Sequence, residues 1–210
     1  MKKIFLAVTT LFTIVISNAQ EIKYGAKAGL NLSTLTGDVG SYDVKSKAGF
    51  HVGGFVEFKI TDKFSVQPEL LYSTQGAKFE YFSSDEFSST SDKRDVKLGY
   101  LNVPIMAKYF VLPGFTIEAG PQIGFLLSAK NEFDYQSYIT EQYNSSGEDD
   151  IKDDSKAVDF GFNVGLGYEF TENIFVQARY NLGLTSISEN ASDEFDPKNG
   201  VLQISVGYKF

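Results

Sequence analysis

Lys23-Tyr24-Gly25-Ala26-Lys27-Ala28-Gly29-Leu30-Asn31-Leu32-Ser33 alternates without a break. Tyr24, Ala26, Ala28, Leu30 and Leu32 fall on one side of an extended chain, and Lys23, Gly25, Lys27, Gly29 and Asn31 on the other. Successive side chains of a β-strand point to opposite faces. The stretch therefore reads as a strand with an apolar medium against one face and a polar, confined one against the other.

The same pattern recurs along the chain. Phe50, Val52, Val56, Phe58 and Ile60 alternate with His51, Gly53, Phe55, Glu57 and Lys59, and Phe64, Val66, Pro68, Leu70 and Tyr72 with Ser65, Gln67, Glu69 and Ser73. Leu101 to Tyr109, Phe115 to Leu127, Val158 to Phe170, Ile174 to Leu184 and Leu202 to Phe210 repeat it, which makes about eight strands of roughly ten residues. Beyond the first residues no apolar run reaches the length of a membrane helix. A spanning chain must then satisfy its backbone between strands and close the sheet on itself. The fold class expected is all-β, a transmembrane antiparallel up-and-down β-barrel.

A secreted β-sandwich would also alternate, but its polar face would meet water and be dominated by charged side chains. Here that face is Gly, Asn, Gln and Ser with few charges per strand, as a narrow lumen requires. Aromatic residues recur near strand ends (Tyr24, Phe58, Phe64, Tyr72, Tyr109, Phe115, Tyr168, Phe170, Tyr208), where interfacial girdles belong. Connections alternate in length: short at 61–63, 111–114 and 171–173, long at 34–48, 76–95, 129–157 and 186–199. Short turns face the periplasm and long polar loops the exterior in such barrels. Pro68, Pro104 and Pro121 lie inside strands, where a missing N–H donor predicts local bulges.

The amino end is a different object. Met1-Lys2-Lys3, an apolar run to Ile16 and the small residues Ser17-Asn18-Ala19 have the form of a secretory signal peptide, residues 1–19, cleaved to leave a barrel domain over 20–210. Cleavage removes Lys2 and Lys3 and takes the formal charge from −8 to −10. An acidic chain argues against nucleic acid as a partner. With no Cys, disulfides, thiolate metal sites and a lipidated leader cysteine are excluded.

The stretches Tyr24-Gly-Ala-Lys-Ala-Gly-Leu-Asn-Leu-Ser33, Tyr100-Leu-Asn-Val-Pro-Ile-Met-Ala-Lys-Tyr-Phe110, Gly120-Pro-Gln-Ile-Gly-Phe-Leu-Leu-Ser-Ala129 and Arg179-Tyr-Asn-Leu-Gly-Leu-Thr185 resemble porin-family, PorT-like outer-membrane β-barrel proteins. The likeness runs over the whole chain after the leader. Val206, Tyr208 and Phe210 resemble the carboxy-terminal signature of outer-membrane proteins, which implies the barrel-assembly machinery and outer-membrane lipid as partners. The resemblance carries no functional residue.

Charges placed on the inner face are Lys27, Glu57, Lys59, Glu69, Lys108, Glu118, Glu169, Arg179 and Lys209, nearly balanced in sign. A turn centred on Pro113 sets Lys108 across from Glu118 as a cross-strand ion pair. An eight-stranded barrel is just wide enough for side chains to fill it, so these charges read as a polar network plugging the lumen. A turn centred on Asp62 sets Ser73 opposite His51, the only histidine, near the outer rim. A Ser/His pair suggests a hydrolase, but no orienting acid or oxyanion site accompanies it. Glu148-Asp149-Asp150 and Asp153-Asp154 could hold a divalent cation, yet they lack an EF-hand register and read as a solvated loop.

No catalytic, cofactor-binding or metal residue is assigned, and no cofactor. The expectation is a non-enzymatic barrel in the outer membrane with a structural or surface-interaction role, its acidic external loops meeting an unidentified ligand or protein. A narrow porin-like channel for small solutes is the alternative, and a hydrolase at the rim the third reading.

Overall fold

The computed structural model describes residues 21–38, 43–84, 89–138, 142–192 and 195–210. The expected leader and its cleavage point lie outside these residues. The strands are β1 (Glu21–Thr36), β2 (Asp43–Thr61), β3 (Phe64–Ser84), β4 (Ser89–Leu112), β5 (Phe115–Tyr138), β6 (Gln142–Asp150), β7 (Val158–Glu169), β8 (Ile174–Gly183) and β9 (Lys198–Lys209). All neighbouring pairs are antiparallel. The order β4-β3-β2-β1-β9-β8-β7-β5, with β4 also paired to β5, closes an eight-stranded ring, and β6 is a ninth strand hung on β5. The seam joins β1 to β9 from Gly25↔Lys209 to Thr36↔Lys198.

The faces are those that the alternation requires. Leu30 is 71% exposed while Lys27 is 3% exposed, and the same inversion of a water-soluble pattern holds around the ring. Apolar side chains facing outward in every strand are what a hydrocarbon surround selects. The girdle near the short turns includes Tyr168 stacked edge-on against Phe170 at 5.0 Å and Tyr208 against Phe210 at 5.5 Å. Phe58, also expected there, is instead buried, and Phe64 and Phe115 are half-buried.

Three of the four expected long loops are largely strand. β3 and β4 stay paired as far as Ser84↔Ser89, and β4 with β5 as far as Ser89↔Tyr138. β5 leaves β7 after Phe125↔Val158 and takes β6 from Lys130↔Asp150. Polar composition suggested loops because the reading tied strand to lipid. Outside the membrane a strand needs no apolar face, only partners for its backbone. Here Thr, Tyr and Phe keep the β-propensity. Residues 184–192 and 195–197 do run outside the named strands.

The expected proline bulges are absent. Pairing of β2 with β3 skips from Phe55↔Glu69 to Phe58↔Val66 at Pro68, that of β3 with β4 from Pro68↔Ile105 to Leu71↔Asn102 at Pro104, and that of β4 with β5 from Pro104↔Gln122 to Ala107↔Ala119 at Pro121. The register is the same on both sides of each gap. A missing N–H removes rungs toward one neighbour, while the extended backbone that proline tolerates continues. The bulge in β5 falls instead at Leu127, where Gly99↔Ser128 follows Tyr100↔Leu126, so that Leu127 and Ser128 both face out. It carries Ala129 and Asn131 to the inner side.

Candidate functional site

The lumen is filled in tiers. Nearest the short turns, Lys108 and Lys209 share two carboxylates: Glu57 lies 3.1 Å from Lys108 and 2.8 Å from Lys209, and Glu169 3.5 Å and 2.6 Å from the same two. The Ser65 hydroxyl donates to Glu57 at 2.9 Å. Above them Phe55 and Phe175 meet edge-to-face at 5.4 Å. Each ring occupies space left by a glycine, since a Cβ on Gly25 would strike Phe55 and one on Gly207 would strike Phe175. The ammonium groups of Lys108 and Lys209 each lie 5.7 Å from the Phe175 centroid, within cation–π range.

The next tier is built on Arg179, which is 2% exposed. Its two terminal nitrogens each donate to Glu69 at 3.0 Å, and Nε donates to Glu118 at 3.0 Å. Lys27 completes the tier, 2.7 Å from Glu69. Gln177 donates to Glu118 at 3.0 Å and accepts from Lys27 at 3.2 Å, and Gln67 ties the tiers by donating to Glu69 at 2.8 Å while accepting from Lys108 at 3.1 Å. Four cations thus face four carboxylates. An isolated buried charge is costly, and bidentate Arg–carboxylate geometry is among the stronger compensations.

Eight of the nine charges expected in the lumen are therefore brought together. Lys59 is not: its side chain is 36% exposed and pairs with Asp62 at 3.6 Å at the periplasmic mouth. Nor do Lys108 and Glu118 form the expected pair, although the register Lys108↔Glu118 is as expected. Glu118 turns the other way, over Gly165, to reach Arg179 on the strand beyond. A Cβ at Gly165 would lie 3.1 Å from Glu118 Oε1. The arginine fork offers several aligned donors where the opposite lysine offers a point charge.

His51 does stand opposite Ser73, but its partners are others. Nδ1 is 2.7 Å from Asn31 Oδ1 and Nε2 is 2.8 Å from Ser205 Oγ. Asn31 Nδ2 donates to the carbonyls of Phe50 and Thr74, which fixes its oxygen as acceptor. In the neutral ring His51 Nδ1 then donates, and Ser205 donates to Nε2. His51 is also not at the rim, since β2 continues outward to Asp43. The three side chains are buried between the ionic tiers and the layer above and line neither mouth cavity. That layer holds Tyr100, Asp159 and Asn199, with Asn199 donating to Asp159 at 2.8 Å.

Toward the exterior the filling becomes apolar. Leu35, Ala77, Phe79, Leu98, Leu126 and Ile187 form a buried cluster with Tyr100 and Ala129. Above it lies a cavity of about 310 Å³, and the periplasmic mouth has one of about 190 Å³ lined by Lys59, Asp62, Glu169 and Lys209 among others. The two share no lining residue. Outside the membrane, cross-strand ion pairs run around the protruding sheet: Lys45 with Glu80, Lys47 with Asp95, Lys97 with Glu132, and Lys130 with Glu148 at 2.6 Å. The hydrogen bond from Lys130 holds the Glu148 carboxyl below its ordinary pKa, and that from Lys45 does the same for Glu80. Glu148 is thus part of a strand pair rather than a solvated loop. Among the described residues no group of carboxylates or histidines is arranged to hold a metal.

Sequence reasoning placed Phe55 on the polar face without drawing the consequence, and it passed over Phe175. A bulky aromatic at polar-face parity opposite a glycine was the available signal for the lumen's aromatic layer.

The sequence that forms this ring matches a known family model over most of its length. The description of that model is outer membrane protein beta-barrel domain, and it covers residues 18–189. The chain belongs to this family. No curated protein matches the sequence. Among solved structures the chain is similar to Ail, the attachment invasion locus protein of Yersinia pestis, at 14% identity over 91% of this chain and 100% of that one, with a TM-score of 0.51. Neisserial surface protein A is also similar, at 14% identity over 91% of this chain and 100% of that one, with a TM-score of 0.49. At such identity the likeness to Ail speaks of fold alone. This outer-membrane β-barrel protein resides in the cell outer membrane.

Proposed function

We propose that this family member is a closed, non-enzymatic barrel whose plugged lumen makes it a rigid base for an acidic surface sheet that meets a ligand or protein outside the cell. The observation that carries the reading is the lumen's filling. Two tiers of mutually paired charges, the Phe55/Phe175 layer between them and the apolar cluster above leave the mouth cavities without a common wall. Side chains of an eight-stranded barrel fill its interior at ordinary density. The motifs at 24–33, 100–110, 120–129 and 179–185 support a PorT-like member, and those at 1–19 and 206–210 support export by a cleaved leader and assembly through the carboxy-terminal signature.

Planar-bilayer recording on the folded barrel tests the reading. No steady conductance is expected, and persistent openings of porin size would establish the channel instead. The Ser205–His51–Asn31 chain favours a hydrolase only in its hydrogen bonds. Ester hydrolysis by the purified barrel that disappears with His51→Ala would move the assignment to that reading.

A further inference from the structure

The external cavity differs in kind from the rest of the lumen. Its walls are Leu35, Phe79, Val96, Ile151, Ile187 and Phe195, drawn from β1, β3, β4 and the segments after β6 and β8. Its floor is the buried apolar cluster that shares Leu35, Phe79 and Ile187 with the walls. Among the described residues the rim carries Arg94, Asp154 and Phe195, all exposed. One charge of each sign at the rim favours neither an anion nor a cation. Asn131 also lines the cup, and its Oδ1 is buried and without a hydrogen-bond partner among the described residues, so that a small turn of the side chain would present it to an occupant. The bulge at Leu127 is what turns this side chain inward.

We propose that the cup is a binding site for a small, uncharged, mainly apolar molecule that carries a hydroxyl or N–H donor for Asn131. Binding pockets combine apolar walls with few convergent polar groups, and barrel mouths are a common place for them. An apolar cavity of about 150 Å³ accepts benzene. The cup, at about 310 Å³, has room for a fused bicyclic ring. A buried acceptor left unmatched favours a ligand that supplies the donor over one of the same shape that does not. The site stands above the apolar seal and is independent of whether the lumen below conducts.

Naphthol and naphthalene are suitable probes, because they share a shape and differ by the donor. The folded barrel in lipid nanodiscs is dialysed to equilibrium against each, with empty nanodiscs of the same lipid subtracting partition into the bilayer. Saturable binding of one equivalent of naphthol is expected, roughly fivefold to tenfold tighter than naphthalene. Ile151→Trp, a substitution at a half-buried wall position, fills the cup and abolishes binding of both while heat-modifiable gel migration reports the barrel as folded. Asn131→Leu equalises the two probes. Retention of naphthol no greater than by empty nanodiscs, or binding indifferent to Ile151→Trp in the folded barrel, overturns the site. A naphthol preference that survives Asn131→Leu overturns the ligand class.

Discussion

Lys108 and Glu118 stand directly opposite each other on β4 and β5 and do not pair. Each reaches past its ladder neighbour, Lys108 to Glu57 and Glu169, Glu118 over Gly165 to Arg179. In a barrel the lumen is shared by all strands, so a long side chain can choose a partner two strands away or across the axis. Adjacency in the ladder then no longer decides which charges meet.

A double-mutant cycle separates the two accounts. Arg179→Met strips Glu118 of its cation and should cost about 3–5 kcal/mol of unfolding free energy, as removal of one partner from a buried pair does. Adding Glu118→Gln should recover part of that loss. Lys108→Met with Glu118→Gln should couple clearly less than Arg179→Met with Glu118→Gln, because Lys108 and Glu118 meet only through Gln67, Glu69 and Arg179. Urea unfolding of the barrel in lipid vesicles measures all of them, and coupling in the second cycle as strong as in the first would contradict the observed partners.

Gly207 faces Phe175 across the β8–β9 ladder, and the three atoms nearest to where its Cβ would go all belong to that ring. Gly207→Ala is expected to destabilise by about 1–3 kcal/mol through overpacking. With Phe175→Leu already in place the same change should cost within about 0.5 kcal/mol of nothing, because the obstacle has gone. Gly25→Ala should not be rescued by Phe55→Leu in this way, since the Tyr208 carbonyl also crowds its Cβ.

The protruding sheet should depend on pH through its exposed ion pairs. The folded pKa of Glu148 is depressed by its hydrogen bond from Lys130, so its contribution is present above the ordinary carboxylate value of 4.5 and is lost as pH falls through the lower folded value. Lys130 is raised by the same bond, so its contribution is present below 10.5 and is lost as pH rises through the higher folded value. Amide exchange in β6 should therefore be slowest, once corrected for the intrinsic pH dependence of exchange, between about pH 4.5 and 10.5. It should quicken outside that window. Amides of β8, inside the closed ring, provide the reference and should lose less protection than those of β6. Equal loss in both would remove the ion pairs as the cause.

Phe210 has a side chain 76% exposed at the outer surface and a backbone N–H that donates to the Tyr24 carbonyl at 2.8 Å. Phe210→Ala keeps that backbone bond. If the residue serves assembly rather than stability, the heat-modifiable folded form should fall several-fold in cells, while refolding of the purified chain into vesicles proceeds at the wild-type rate. A matching defect in both would make the role structural.

The ring was legible because lipid enforces the period-two rule on every outward side chain, from Tyr24 to Leu32 on β1 as from Leu202 to Tyr208 on β9. What sequence reasoning missed lies where that enforcement stops. Phe79 and Tyr81 alternate past the membrane and oppose Arg94 and Asp92 in a paired hairpin, but their charged neighbours resembled a loop. The bulge at Leu127 has no proline to mark it, and the prolines that suggested bulges leave only gaps in the ladder. Inside the lumen, parity tells which charges enter but not which of several partners each will take. That choice depends on the glycine gaps and on the arginine fork. The His51–Ser205 contact joins strands far apart in sequence that a hairpin register cannot relate.

The β1–β9 seam bears on the order of events in biogenesis. Until its last dozen residues are available, β1 presents a row of unmatched amides and carbonyls that hydrocarbon does not tolerate. A product stopped short of β9 would leave that edge open, and is expected to be a substrate for proteolysis rather than a smaller barrel.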